Sequence, residues 1–500
     1  MEKNGAVLNR SLSGADAAFL YLERKEIPLH IACVSVFDGP IPFEEFVAKI
    51  DSKLHLIPRY RQIAVAPPFN IGYPTWEWDP QFDVRRHIIP VKLDPPGSEA
   101  QLSALAGRIL STVMDRRQPL WDVHVVEGLS GGRGALIPRV HHSLADGISG
   151  AALWNAILDP TPEASLVIGR RQYHVARPKA KKEQSLVDAL SSAVQSALTN
   201  LLAAEAGVVG LAQGLLTGRL NEGLEGLAGL LPELAASAER FPFNRPCTGE
   251  RRFCWTEASF ADVQAIREAT GTTINDVILT VVTRAVARYT EMHGQSVTDR
   301  FIRMVCPYNL RRDDHGESLG NQISFLPVAL PLDVADPQEM LRAVAARTRI
   351  MKSARAADLV ALAAAWLGSA PPPLQALFWQ GIPLIPLPLP LLNMICTNIP
   401  GSPVPLYSMG RRMIASYPQV PTGYELGIGC AVQSYDGKIF FGLTSDTDAA
   451  PDAHRLRDFI RTSFAELCRA AGLKKKAGPR RPRKPPAQPP VPVTPVAPAA

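Results

Sequence analysis

The chain contains no run of about 20 uninterrupted apolar residues, so it offers no helix able to span a bilayer. Its first residues, Met1-Glu2-Lys3-Asn4-Gly5, contain no apolar core of a secretory signal. Close cysteine pairs are missing as well. Cys33, Cys247, Cys254, Cys306, Cys396, Cys430 and Cys468 are scattered and odd in number, a pattern of reduced thiols that predicts a cytoplasmic protein. With no metal-finger spacing and no basic stripe interleaved with aromatics, no metal site and no nucleic-acid partner are expected. Charge of one sign is also scarce: 53 basic against 47 acidic residues leave only +6. Much of that excess sits in the tail, at Lys474, Lys475, Lys476, Arg480, Arg481, Arg483 and Lys484, which reads as a solvated, disordered, Pro-rich segment able to approach anionic lipid.

Histidine is scarce too, at 10 residues in 500, and two of the ten are adjacent in His141-His142-Ser143-Leu144-Ala145-Asp146-Gly147. Ala135-Leu136-Ile137 and Val140 before them are strand-like, and Ile148 to Trp154 resembles the first turns of a buried helix, so the motif falls on a strand-to-helix turn. This is the pattern of an acyl-transfer site. A neutral imidazole can take the proton of an alcohol as its oxygen attacks a thioester, then return it to the leaving thiol, with no enzyme nucleophile. Neighbouring side chains on an extended segment point in opposite directions, so one histidine is the base and the other structural. Asp146 is expected to hold the turn through a cation, and Gly147 to supply a backbone angle or a close approach.

At 46% hydrophobic and 20% charged, the composition is globular, and 500 residues exceed one ordinary core. Residues 1–160 alternate strands such as His30 to Phe37 with helices such as Pro42 to Ile50, giving a mixed α/β lobe. Residues 161–245 read as a helical crossover, and 246–472 as a second lobe opening near Arg251. There, Ser259 with Asp262 and Asp336-Pro337-Gln338-Glu339 are helix starts. Tyr435-Asp436-Gly437 joins two strands as a hairpin, and a last helix covers about 452–471 before Gly472. The tail begins at 473. Between Pro371 and Ile395, leucines interrupted by prolines exclude one regular helix and leave either core or an apolar element facing lipid or an acyl tunnel. Pro138 lies inside the strand leading to the histidines, so that strand is expected at a sheet edge or bulged.

On these residues the chain resembles the bacterial wax ester synthase/diacylglycerol acyltransferase family, within the CoA-dependent acyltransferases that share an H-H-x-x-x-D-G motif. The resemblance runs from about residue 10 to 470. Besides the histidine motif it rests on Leu12-Ser13-Gly14-Ala15-Asp16, Pro119-Leu120-Trp121, Asn275-Asp276-Val277, Gly320-Asn321, Thr397-Asn398-Ile399-Pro400-Gly401 and Gln433-Ser434-Tyr435-Asp436-Gly437. It implies two chloramphenicol-acetyltransferase-like lobes of mixed sheets with acyl-CoA, the donor substrate, between them and no bound cofactor. It implies His142 as the base, His141 beside it, Pro119-Leu120-Trp121 at the acyl region, and Asn275-Asp276 supporting the site from the second lobe. Trp121 as core and Asp276 as a helix start are the plainer readings of those two. The acceptor would be diacylglycerol or a fatty alcohol, met at the inner face of the plasma membrane or at lipid inclusions.

Three other functions stay open. One is esterification of a different lipid alcohol, and another is an inactive lipid-binding or droplet-coating protein of the same fold, against which the intact motif argues. The third is a serine hydrolase, since Gly128-Leu129-Ser130-Gly131-Gly132 and Gly316-Glu317-Ser318-Leu319-Gly320 both match G-x-S-x-G. A nucleophile elbow needs a strand before the serine and a helix after it, and neither match has that context.

Overall fold

The structure is a computed structural model that describes residues 11–144, 157–163, 239–309, 323–353, 370–382 and 392–473. The N-terminal half holds α1 (Gly14–Leu22), β1 (His30–Phe37), α2 (Phe43–Lys53), β2 (Gln62–Val65), β3 (Thr75–Trp78), β4 (Ile88–Lys92), α3 (Glu99–Leu110), β5 (Trp121–Leu129) and β6 (Arg133–His141). The C-terminal half holds β7 (Arg251–Ser259), α4 (Phe260–Thr270), α5 (Ile274–Met292), β8 (Phe301–Asn309), β9 (Ile323–Pro331), α6 (Pro337–Ser353) and α7 (Pro372–Gly381). It continues with β10 (Met394–Ile399), β11 (Tyr407–Ser408), β12 (Arg411–Gln419), β13 (Ile428–Tyr435), β14 (Lys438–Asp446) and α8 (Ala453–Ala470). The expected mixed α/β architecture is present as two six-stranded sheets, ordered β11-β12-β1-β6-β5-β4 and β7-β14-β13-β10-β8-β9. The crossover lies outside the described residues, apart from 161–163 and 239–245 at its two ends.

Local chemistry sets the element ends. Ser259 accepts from the Asp262 amide, Asp336 accepts from the amides of Gln338 and Glu339, and Asp436 and Gly437 take positive φ in the two-residue turn between β13 and β14. α7 opens on prolines, whose missing N–H groups are not needed in a first turn, and it ends within ten residues. The 371–395 run is therefore a short helix followed by a strand, with residues 383–391 outside the described part.

Two expectations change. β11 and β12, from inside residues 246–472, belong to the first sheet, where β12 pairs antiparallel with β1. The lobes are thus laced together by a strand that chain order alone assigns to the second. The glycine at the crossing makes room, because a Cβ on Gly442 of β14 would sit 1.8 Å from the Pro418 carbonyl oxygen of β12. The second change concerns Pro138, whose strand is neither an edge nor bulged at that point. β6 lies between β1 and β5, and its register with β1 is the same on both sides of the proline, at Ala32↔Arg139 and Ser35↔Leu136. The ladder simply skips the missing donor.

Candidate active site

β6 drives its buried Ala135, Leu136 and Ile137 through the core of the first lobe and delivers the two histidines at its end. Their amides are clamped from two sides. The His141 N–H donates to the Leu120 carbonyl at 2.9 Å, and the His142 N–H to the Leu29 carbonyl at 2.9 Å. The Pro119-Leu120-Trp121 segment therefore meets the motif through its backbone. The Trp121 side chain belongs to the core, with its Nε1–H donated to the Tyr60 carbonyl at 2.7 Å and its ring stacked on His87 at 4.5 Å. Leu120 is buried against Leu12, Leu20, Trp76 and Met114.

The two imidazoles have different surroundings. His141 is completely buried, and its Nδ1 accepts the Ser143 amide at 3.1 Å and lies 2.7 Å from Ser143 Oγ. Accepting at Nδ1 leaves the proton to Nε2, which lies 3.3 Å from Glu23 Oε1. Glu23, one residue past α1, also accepts from the Leu29 amide at 3.1 Å and from Arg116 Nη2 at 3.2 Å. Burial works to raise this carboxyl, yet the His141 hydrogen bond, the Leu29 amide and Arg116 together hold it down at about 2. His142 is half-buried, its ring stacked on Phe19 of α1 at 4.0 Å and 12°. The end of α1 thus touches both histidines.

A third histidine lies behind them. His30 pairs with His141 across the sheet, is 1% exposed, and finds no hydrogen-bond partner for either ring nitrogen among the described residues. Burial, then Arg139, pushes it down to about 3, while Asp122 and Glu23 pull the other way. Arg139 and Asp122 form a forked ion pair nearby, which Arg139 extends to Thr112 and the Ile109 carbonyl of α3.

Asp146 and Gly147 lie outside the described residues, as do Gly320 and Asn321. Asn275 and Asp276 open α5. The Asp276 carboxylate closes a capping box with Thr273 and accepts the Thr348 hydroxyl of α6 at 2.6 Å, so its partners belong to the second lobe, not to the histidine motif. The motifs near 400 and 433 meet at the seam, where the Gly401 amide donates to Ser434 Oγ at 3.2 Å and Ser416 of β12 donates to Gln433 at 3.2 Å. Ser130 stands in a turn between β5 and β6, without the helix that a nucleophile elbow requires; the match at 316–320 is outside the described residues. Among the described residues no cluster of three or more His, Cys, Asp or Glu is arranged for a metal ion. Sequence reasoning missed Glu23, Arg116, Ser143, Phe19 and His30. Only Ser143 stood within the motif; Phe19, Glu23 and His30 are brought in from 111 to 123 positions away by α1, its end and β1, and Arg116, between α3 and β5, joins through Glu23, with no fixed spacing to reveal them.

Residues 12–278 match the model of the wax ester synthase/diacylglycerol acyltransferase catalytic domain, and residues 319–468 that of the family's C-terminal domain. A Mycobacterium tuberculosis protein described as a probable diacylglycerol O-acyltransferase is 29% identical over 482 residues, covering 94% of this chain and 98% of its own. A second from that organism, described in the same words, is 28% identical over 478 residues, with 92% and 98% covered. In fold, the chain is similar to the wax ester synthase/diacylglycerol acyltransferase from Marinobacter aquaeolei, at a TM-score of 0.61 and 24% identity, with 93% of this chain and 100% of that one aligned. It is also similar to the starter condensation domain of rhizomide synthetase in complex with C8-CoA, at a TM-score of 0.56 and 14% identity, with 92% and 95% covered. With both of its domain models matched in order around a buried His141 and a presented His142, the chain belongs to the wax ester synthase/diacylglycerol acyltransferase family and is an O-acyltransferase.

Proposed function

We propose that the protein transfers a long-chain acyl group from acyl-CoA to the hydroxyl of diacylglycerol, or of a fatty alcohol, with His142 as general base. The observation that carries this reading is the division of labour between the histidines. His141 is committed to Glu23 and Ser143, whereas His142 is set at the strand end with its backbone fixed and its ring braced on Phe19. His142 would take the acceptor's hydroxyl proton as the oxygen attacks the thioester carbonyl. The C–O bond forms, the C–S bond breaks, and the proton passes to the departing CoA thiolate. Both substrates would be present together and no acyl-enzyme would form. Asp146 would hold the turn rather than move protons, and the substrates' apolar chains would lie between the lobes.

Purified protein given labelled long-chain acyl-CoA with a panel of acceptors tests the reaction. Ester should form with diacylglycerol or a fatty alcohol, and His142→Ala should abolish it while remaining folded. Ester formation by a folded His142→Ala variant at the parent rate would overturn the assignment. Intact-mass measurement after mixing with acyl-CoA alone should find no adduct.

The same reading places the protein at the cytoplasmic face of a membrane or at a lipid inclusion. Support comes from an apolar patch beside α1. Phe69 is 89% exposed on a turn where it and Asn70 both take positive φ, and α7, which packs on that turn and on α1, exposes Leu374, Leu377 and Phe378. Replacing Phe69, Leu377 and Phe378 with serine should reduce co-sedimentation with vesicles at every salt concentration. Deleting residues 474–500 should reduce it only at low salt, where headgroup attraction is unscreened. Failure of the full chain to sediment with neutral or anionic vesicles would refute the surface placement.

A further inference from the structure

A concavity lined by neither histidine of the motif lies between α3 of the first lobe and β7 and the start of α8 of the second. It is a groove of about 990 Å³, with β12 and β1 contributing Tyr417, Ala415 and Val36. These three side chains reach it from one face of the first sheet, the face to which His141 also turns, because Val36 and His30 share a side of β1 and His30 lies opposite His141. Neither histidine of the motif lines the groove.

Its lining combines two chemistries. Trp255 and Tyr417 stack at 4.8 Å and 20° to form an aromatic wall. Around it stand cations from both lobes, and they divide by partner. Arg133 is met by Glu99 at 3.8 Å, Lys438 by Glu257 at 2.9 Å and Arg457 by Asp458 at 2.8 Å. Arg108, Arg252 and Arg461 have no carboxylate at ion-pair distance among the described residues, and Glu250 is the one remaining acid of the lining without such a pair. Three arginines without a carboxylate partner and an aromatic wall in one groove match a ligand with a phosphate at one end and an apolar body at the other. Guanidinium forks suit phosphate oxygens, and the stacked rings offer apolar area. The volume is at the upper end of that of small-molecule sites.

We propose that this groove binds an amphipathic phosphate ester, with its phosphate on Arg108, Arg252 and Arg461 and its apolar part against Trp255 and Tyr417. A lysophospholipid and a long-chain acyl-CoA share that chemistry, and a ligand seated here would bridge the two lobes. The test is calorimetric titration of the full chain with oleoyl lysophosphatidate below its micellar concentration, alongside monoolein, inorganic phosphate and oleoyl-CoA. Lysophosphatidate should bind at one equivalent, and more tightly than monoolein or phosphate. The Arg252→Gln/Arg461→Gln variant, checked for an unchanged unfolding transition, should bind it at least tenfold more weakly. His142→Ala should bind it as the parent does. A second equivalent of oleoyl-CoA that disappears in the arginine variant would identify CoA phosphate as the source, and loss confined to lysophosphatidate would identify lipid phosphate. Absence of both binding events in the parent protein, or equal affinity in the arginine variant, would overturn the proposal.

Discussion

Acidification tests the burial of His30. An exposed histidine titrates near 6.5, whereas this ring, enclosed in the first lobe, is pushed down to about 3. Between those values the unfolded chain binds a proton that the folded chain does not, so stability falls as the pH drops from about 6.5 towards 3. Each unit inside that window is worth up to about 1.4 kcal/mol, and from pH 6.5 to 4.5 the loss is about 2 kcal/mol. Four charged or titratable groups face the ring. Arg139 and His141 on β6 oppose its protonation, and Asp122 on β5 and Glu23 after α1 favour it. Both carboxylates stay ionised through the window, Glu23 being held at about 2 and Asp122 well below the usual carboxylate range despite its burial, by His124 and Arg139. Urea unfolding of the parent and of His30→Leu, followed by tryptophan fluorescence from pH 7.5 to 4.5, isolates the term, because the other groups are common to both. Leucine removes the titration and the two unpartnered nitrogens together, so the variant should gain on the parent by about 2 kcal/mol as the pH falls. Parallel curves would mean that the ring is protonated in the folded state or solvated there, and the reasoning would fail.

Three further outcomes follow from the same geometry. His142→Ala should lose about 10²- to 10⁴-fold in kcat, the usual range for a general base, with an unchanged unfolding transition; comparable rates for variant and parent would remove the base assignment. Glu23→Ala removes the buried acceptor of the Leu29 amide and the partner of His141 Nε2, and should destabilise the first lobe by about 1–3 kcal/mol, read as a lowered denaturation midpoint, with Glu23→Gln falling between it and the parent. Gly442→Ala drives a methyl into the Pro418 carbonyl, and the strain, about 1–3 kcal/mol or more, should appear in thermal unfolding as reduced cooperativity between the lobes.

Local chemistry was legible because it acts over a few residues. The helix starts at Ser259 and Asp336, the Asp436-Gly437 turn and the strand before His141 each follow from side chains within four positions of the backbone groups they serve. The histidine pair itself was equally plain, since a strand end with two imidazoles has few other chemical uses, and alternation alone required that they play different parts. How His141 is held was not legible. That depends on Glu23 and Arg116, brought to His141 by the packing of α1 against the end of the sheet, and a charge pair separated by some 118 positions leaves no periodic trace. Pro138 was misread for a related reason: a proline forbids one hydrogen bond, and only the neighbouring strands decide whether the ladder bends or skips it. The exchange of β12 into the first sheet is likewise invisible along the chain, because a strand's pattern records that two faces are buried but not against which lobe. Sequence determined the elements and the chemistry at the strand end; tertiary structure alone, through contacts between residues far apart in the chain, decided their partners.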